Sequence, residues 1–279
     1  MSTINCRGKL VDLSCPKVMG ILNLTPDSFY DGGRSSNLKR MLEHVEKMLS
    51  DGADFIDIGG YSSRPGAEHV PADEELQRVL PAVKAIISQF PSTIISVDTF
   101  RSNVAARCIE EGASIINDIS AGALDNQMMQ TIANYQVPYI MMHMRGNVQN
   151  THQQIAYDDI VKEMLTYFSQ KIANARSHGI NDLIIDPGFG FSKTLEHNYE
   201  VLEDLDHFAI TDLPILVGFS RKSMVCKVLK VNPEDALNGT TILNTLALSK
   251  GAKILRVHDV KEAKQCVDLF LKMNRQPIH

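Results

Sequence analysis

The sequence predicts a single (β/α)₈ barrel with a short N-terminal hairpin, and three observations carry that prediction. The first is a series of eight short runs rich in Ile and Val: Val18–Asn23, Asp54–Gly60, Thr93–Thr99, Ser114–Ser120, Pro138–Met144, Asp182–Gly188, Pro214–Ser220 and Lys253–Asp259. They are nearly continuous in apolar character, as parallel strands covered on both faces are. The second is the spacing between them, which turns helical. Leu38, Met41, Leu42, Val45, Met48 and Leu49 fall on one helix face, with Lys, Arg and Glu in the gaps. The third is punctuation: Gly52, Gly112, Gly179 and Gly251 stand shortly before a strand, where a left-handed helix terminus costs little. Strict alternation of eight strands with eight helices favours a closed barrel over an open doubly wound sheet.

The other helix candidates follow in order. They are Glu74–Phe90, Arg101–Glu111, Asn126–Tyr135, the stretch carrying Tyr157, Ile160, Val161, Met164, Leu165, Phe168 and Ile172, then Leu195–Phe208, Pro233–Lys250 and Lys261–Met273. Ahead of the first strand, Arg7-Gly8-Lys9 can turn a small hairpin that plugs the barrel floor. No linker, low-complexity tract or repeat interrupts the chain, so residues 1–279 are expected to form one domain.

Composition narrows the function. With 28 Lys+Arg against 33 Asp+Glu there is no cation excess to neutralise phosphates, which argues against nucleic acid or a membrane surface as partner. The five cysteines are scattered, form no CxxC pair and suit reduced thiols. The opening MSTINCRGKL lacks a signal-peptide core, and no apolar run reaches the roughly 18–20 residues needed to span a bilayer. A cytoplasmic location is expected.

Each apolar run ends on polar residues: Asn23, Gly59-Gly60, Asp98-Thr99, Asn117-Asp118, His143, Asp186, Ser220-Arg221-Lys222 and Arg256-Val257-His258. In a barrel these ends meet at one face, where active sites are built. So many polar groups beside a core cost several kcal/mol each unless they are paired or bind something. They divide into two halves. Ser63-Arg64, Ser220-Arg221-Lys222-Ser223, Arg256 and His258 suit an anion, since Arg offers forked donors and a helix start offers free N–H groups. Asn23 adds a hard oxygen suited to a diphosphate-bound Mg²⁺. Asp186, in DPGFGF, can accept paired N–H bonds from an aminopyrimidine. Asp98, Asn117 and Lys222 surround the same pocket, and Met142 can pack on a ring face. Blander readings stand beside these: a helix N-cap for Asp98, a turn for Asn117, a core histidine for His143, and surface salt bridges for Arg64 and Arg256.

The blocks MGILNLTPDSF, GGYSSRPGA, ISVDT, IINDI, MHMRG, DPGFGF, GFSRKS and RVHDV, read in that order, resemble the signature blocks of the dihydropteroate synthases. They run from residue 18 to about 260, nearly the whole chain. The resemblance implies condensation of 6-hydroxymethyl-7,8-dihydropterin diphosphate with 4-aminobenzoate, with Mg²⁺ as cofactor. It implies that Asp98, Asn117, Asp186 and Lys222 hold the pterin, and that Asn23 ligates the metal. Ser63, Arg64, Arg256 and His258 would hold the diphosphate. Phe191, Ser220 and Lys222 would border the aminobenzoate, with Phe29 and Pro65. Asp98, Arg64, Lys222 and Arg256 are the residues expected to carry the chemistry. A homodimer is implied too, through the last helices, where Leu243, Leu246, Leu248, Val267, Leu269 and Phe270 are the candidates.

Two positions depart from the family pattern: Tyr61 stands where an acidic residue is usual, and Phe100 where a small or polar one is common. Ser63 in place of Thr keeps the hydroxyl. The segments Thr25–Arg34 and Tyr61–Val70 are long for strand-to-helix connections and are expected to be mobile until ligands bind. Two rival readings remain. A folate-dependent methyltransferase needs no diphosphate site, and a non-catalytic pterin-binding barrel would have lost Asn23, Arg64 or Lys222.

Overall fold

The computed structural model describes residues 3–24, 33–61, 70–146 and 156–275. A hairpin comes first, β1 (Thr3–Cys6) and β2 (Lys9–Asp12), paired antiparallel with Cys6 opposite Lys9. Its two-residue turn puts Arg7 at φ 55° and Gly8 at φ 88°, the twist that hairpin strands need.

Eight parallel strands follow: β3 (Lys17–Asn23), β4 (Phe55–Gly59), β5 (Ile94–Asp98), β6 (Ile115–Asp118), β7 (Tyr139–Met142), β8 (Leu183–Asp186), β9 (Leu216–Val217) and β10 (Ile254–Val257). Their order around the sheet is β8-β7-β6-β5-β4-β3-β10-β9. A bridge between Ile185 and Ile215 joins the two ends, with Ile185 N–H donating to Pro214 at 3.0 Å, and the barrel closes. Every predicted run contains a strand. The run at 214–220 supplies only two strand residues, because Pro214 has no N–H to donate and the chain turns where Lys222 N–H bonds back to Phe219.

Nine α-helices lie among the described residues: α1 (Gly33–Ser50), α2 (Ala72–Gln89), α3 (Ser102–Glu110), α4 (Met128–Tyr135), α5 (Ile160–Ser177), α6 (Leu195–Glu203), α7 (Ser223–Leu229), α8 (Leu237–Ser249) and α9 (Val260–Met273). Two details differ from the sequence expectation. The stretch expected as one helix over Leu195–Phe208 breaks after Glu203 into a 3₁₀ turn, Leu205–Thr211. The extra helix α7 follows SRK and stops at Lys230, which adopts a left-handed conformation (φ 56°).

Side chains alternate along each strand, and the two sets pack differently. Ile56, Ile58, Val97, Ile116, Met141, Ile185, Val217 and Leu255 pack outward in the main core, under the helices. Met19, Phe55, Ile94, Ile115, Ile140, Ile184, Leu216 and Ile254 point inward and form a second apolar cluster with Ile4, Cys6, Val11 and Leu13. The hairpin is therefore the floor plug. One step further along, the inward positions become Asp57, Ser96, Asn117, Met142, Asp186 and Arg256. The barrel interior is apolar at the floor and polar at the mouth, which fixes where a polar ligand can sit.

Of the residues named for a dimer surface, Leu243, Leu248 and Val267 belong to the main core, since α8 and α9 pack on the barrel and on each other. Leu246 and Leu269 are exposed, with Ile242 and Met273 beside them in sequence on the same helices.

Candidate active site

The mouth is organised around Asp57, a fully buried carboxylate in the middle of β4. Its Oδ2 accepts from Arg256 Nε at 2.6 Å and from Asn117 Nδ2 at 3.1 Å. Arg256 also donates through Nη2 to Asp98 Oδ2 at 2.8 Å. The Arg256 guanidinium thus ties β10 to β4 and β5, and Asp57 carries the link on to Asn117 of β6. Register explains the grouping, because Gly59 pairs with Asp98, and Asp98 with Asn117, across β4, β5 and β6.

Burial pushes Asp98 up to about 7, with Arg256 acting against the rise and Asp57 reinforcing it. Arg256 is held fully cationic, because Asp57 and Asp98 together outweigh the cost of burying it. The blander readings fail for these residues. Helix α3 starts with Arg101 as its N-cap and no side-chain cap, so Asp98 caps nothing there. The turn after β6 is built by Asp118, which accepts from Ser120 and Gly122 N–H, leaving Asn117 to the barrel interior. Arg256 pairs inside the barrel, not on its surface.

On the other side of the mouth, Asp186 ends β8 and accepts the Gly188 N–H through Oδ1 at 2.7 Å, which leaves its second oxygen for a ligand. Burial raises its pKa, with Lys222 the largest influence the other way. Lys222 donates to the Phe189 carbonyl and lies 5.0 Å from the centre of the Phe191 ring. Burial lowers Lys222 to about 8, with Asp186 opposing. Gly188 is obligatory: at φ +69° a Cβ would sit 2.3 Å from the His143 carbonyl oxygen. Ser220 Oγ meets His258 Nδ1 at 2.9 Å, joining the ends of the last two strands.

Asn23 reaches the same mouth. A Cβ on Gly59 would lie 3.8 Å from both Asn23 Oδ1 and Asp98 Oδ2, so the bare glycine keeps that space open. An apolar patch completes the wall. Ile119, Met142 and Met144 form a small buried cluster, and Phe100 and Phe191 pack against it. Met142 is therefore placed to meet a ring face.

The structure thus gathers Asn23, Asp98, Asn117, Met142, Asp186, Phe191, Ser220, Lys222, Arg256 and His258 at one end of the barrel. Ser63 and Arg64 lie outside the described residues, as do Phe29 and Pro65 and most of the two segments expected to be mobile; Gly33 and Arg34 belong to α1. His143 is a core histidine: it is buried, meets Tyr167 edge-on at 4.9 Å and contacts Lys193 Nζ at 3.1 Å. Two buried residues escaped the sequence reading. Asp57 hides inside an apolar run, although it shares the inward face of β4 with Phe55 and Gly59. Lys193 follows DPGFGFS as one more charged residue in a loop.

The two departures, Tyr61 and Phe100, turn out to be partners. Their rings meet edge to face with centroids 5.1 Å apart, and the Arg101 guanidinium lies 5.4 Å from one centroid and 4.8 Å from the other. Arg101 also pairs with Glu75 and donates to the Val70 carbonyl at 2.6 Å.

Residues 19–258 match the family of pterin binding enzymes. Dihydropteroate synthase from Escherichia coli (strain K12) is 44% identical over 263 residues, 94% of this chain and 93% of that protein. The chain belongs to the dihydropteroate synthase family. The synthase of Streptococcus pyogenes is 39% identical over 95% of this chain and 98% of its own length. Among solved structures, a Yersinia pestis dihydropteroate synthase with a sulfonamide drug complex superposes with a TM-score of 0.92, at 42% identity over 98% of this chain and 99% of that one. The Xanthomonas albilineans enzyme in complex with 7,8-dihydropteroate gives 0.88 at 34% identity, over 99% and 100% of the two chains.

Proposed function

We propose that this protein condenses 6-hydroxymethyl-7,8-dihydropterin diphosphate with 4-aminobenzoate to give 7,8-dihydropteroate and diphosphate, a transferase step of folate synthesis. The observation that carries this reading is the matched set of carboxylates and cations at the barrel mouth: the buried Asp57 and Asp186 and the partly buried Asp98 against the partly buried Lys222 and Arg256. Such a set suits a flat heterocycle with N–H donors and carbonyl acceptors that also carries an anionic tail.

In this reading the free oxygen of Asp186, with Asn117 and Asp98, orients the pterin, and Met142 packs on its face. Lys222 donates toward the ring from the Asp186 side. The exocyclic C–O bond breaks as the electron-rich ring stabilises the developing cation. Arg256, His258 and Ser220, with Ser63 and Arg64, take the departing diphosphate. The aniline nitrogen, held against Phe191, then forms the new C–N bond and loses its proton, and no covalent enzyme intermediate is required.

Mg²⁺ belongs to the proposal. Asn23 Oδ1 accepts no hydrogen bond among the described residues and faces the gap over Gly59, and a lone hard oxygen suits an ion that takes few protein ligands. Asn23 would hold it, and the ion when bound would neutralise charge on the leaving diphosphate. A homodimer is the assembly that the exposed Ile242, Leu246, Leu269 and Met273 of α8 and α9 favour. No helix among the described residues is long and apolar enough to cross a membrane, and all five cysteines are free, which supports a cytoplasmic home.

Diphosphate release from the pterin substrate tests the reading. Release that depends on aminobenzoate supports a synthase. Binding without release would leave a pterin-binding barrel, and methyl transfer from a folate would favour the methyltransferase.

A further inference from the structure

We propose that Lys193 is a positioning residue: it clamps the loop after β8 from behind and so holds the aromatic wall that faces the amine substrate. The proposal rests on the synthase reading for its kinetic consequence, but not for the clamp itself.

Lys193 is 8% exposed and makes no ion pair among the described residues. Its nitrogen instead reaches three neutral acceptors: the Gly188 carbonyl at 3.1 Å, the Phe191 carbonyl at 3.2 Å and His143 Nδ1 at 3.1 Å. An ammonium has three protons and here meets three acceptors. His143 must be neutral with Nδ1 unprotonated to serve, and burial pushes His143 down to about 2. Burial also lowers Lys193 to about 7, and either form of the amine keeps at least two donors.

The loop needs such a clamp. Gly188, Gly190 and Ser192 all have positive φ, at 69°, 81° and 51°, so the backbone cannot join a regular ladder. One turn bond links Phe191 N–H to the Gly188 carbonyl at 3.1 Å. Side chains supply further anchors: Asn198 accepts from Gly190 N–H at 2.7 Å, Lys222 donates to the Phe189 carbonyl from the site side, Tyr157 donates to the Ser192 carbonyl at 2.9 Å, and Ser192 Oγ donates to the Arg145 carbonyl at 2.7 Å and accepts from Arg145 N–H at 3.1 Å. Lys193 grips both ends of the loop. At one end Gly188 N–H holds Asp186 at 2.7 Å; at the other Phe191 packs on the Met142 cluster and under Lys222. Asp186 is also fixed by its own strand, whereas Phe191 depends on the loop. Loss of the clamp should therefore fall mainly on the amine side.

The test compares wild type, Lys193→Met and the milder Lys193→Gln, which keeps two donors on a shorter stem. Hydrogen exchange reads the clamp without turnover: amides of residues 188–192 should exchange about tenfold faster or more in the Met variant, with the barrel strands unchanged. In steady state, the KM for 4-aminobenzoate should rise about tenfold, while the affinity of a pterin analogue stays within about threefold. Lys193→Gln should fall between, and it carries the test if the Met variant fails to fold. Unchanged exchange in a folded variant, or an equal loss of both affinities, overturns the proposal. Wild-type protein that releases no diphosphate would sink the synthase reading alone, because the exchange result stands without it.

Discussion

The rings of Tyr61 and Phe100 meet edge to face, 5.1 Å between centroids and 82° between planes, with the Arg101 guanidinium over both. Each residue alone is a departure from the family pattern; together they form one contact. Edge-to-face pairs contribute about 0.5–1.5 kcal/mol beyond the area they bury. A double-mutant cycle with Tyr61→Leu and Phe100→Leu should therefore show a stability coupling of about 1 kcal/mol by denaturant melts. Additive losses would mean that the two rings are neighbours without a mutual interaction.

Asp186→Asn keeps the shape of the side chain but presents an amide to ring N–H groups. The Asn oxygen can still accept from Gly188, so the amide nitrogen faces the ligand. Pterin-analogue affinity should drop by about 2–4 kcal/mol in calorimetry, the range for a broken buried charged hydrogen bond. Wild-type affinity would remove Asp186 from the pocket.

Arg256→Ala changes more than the anion half. Arg256 bridges Asp57 and Asp98, and its removal leaves both carboxylates without their cation. Breaking a buried pair this way costs about 3–5 kcal/mol of stability. Adding Asp57→Asn should recover part of that loss, as thermal melts would read. If the single and double variants melt together, the bridge contributes nothing.

The pH dependence of kcat/KM for the pterin substrate should be bell-shaped. Lys222 is cationic below its pKa, so its charge is lost as pH rises through about 8. Asp98 is ionised above its pKa, so its acceptor is lost as pH falls through about 7. Lys222→Arg should move the alkaline limb up and leave the acid limb in place. An unmoved alkaline limb would assign it to another group.

Much of this architecture is legible in the chain. The eight Ile/Val runs mark the strands because a barrel strand is covered on both faces, and their polar ends mark the mouth because strands run parallel. Asp57 was not legible. It stands mid-run, and only its side-chain bonds with Asn117 of β6 and Arg256 of β10 show that its face of β4 turns polar there. Lys193 was hidden for a related reason: a lysine in a loop reads as solvated, and its burial depends on His143, fifty positions earlier in the chain. The Tyr61–Phe100 contact likewise joins two loops that sequence gives no reason to pair. Of the six apolar residues of the last helices that were candidates for a dimer surface, three are core, since amphipathic spacing does not say how many neighbours a helix packs against.

The reaction assigned to the barrel mouth joins an amine to the pterin with loss of diphosphate. A single-turnover reaction of the purified protein with dihydropterin diphosphate, 4-aminobenzoate and Mg²⁺, quenched and resolved by mass, tests it most directly. One dihydropteroate should form for each diphosphate released, and Asp186→Asn should sharply reduce both. Diphosphate release with no pteroate formed, or no release at all from folded protein, would contradict it.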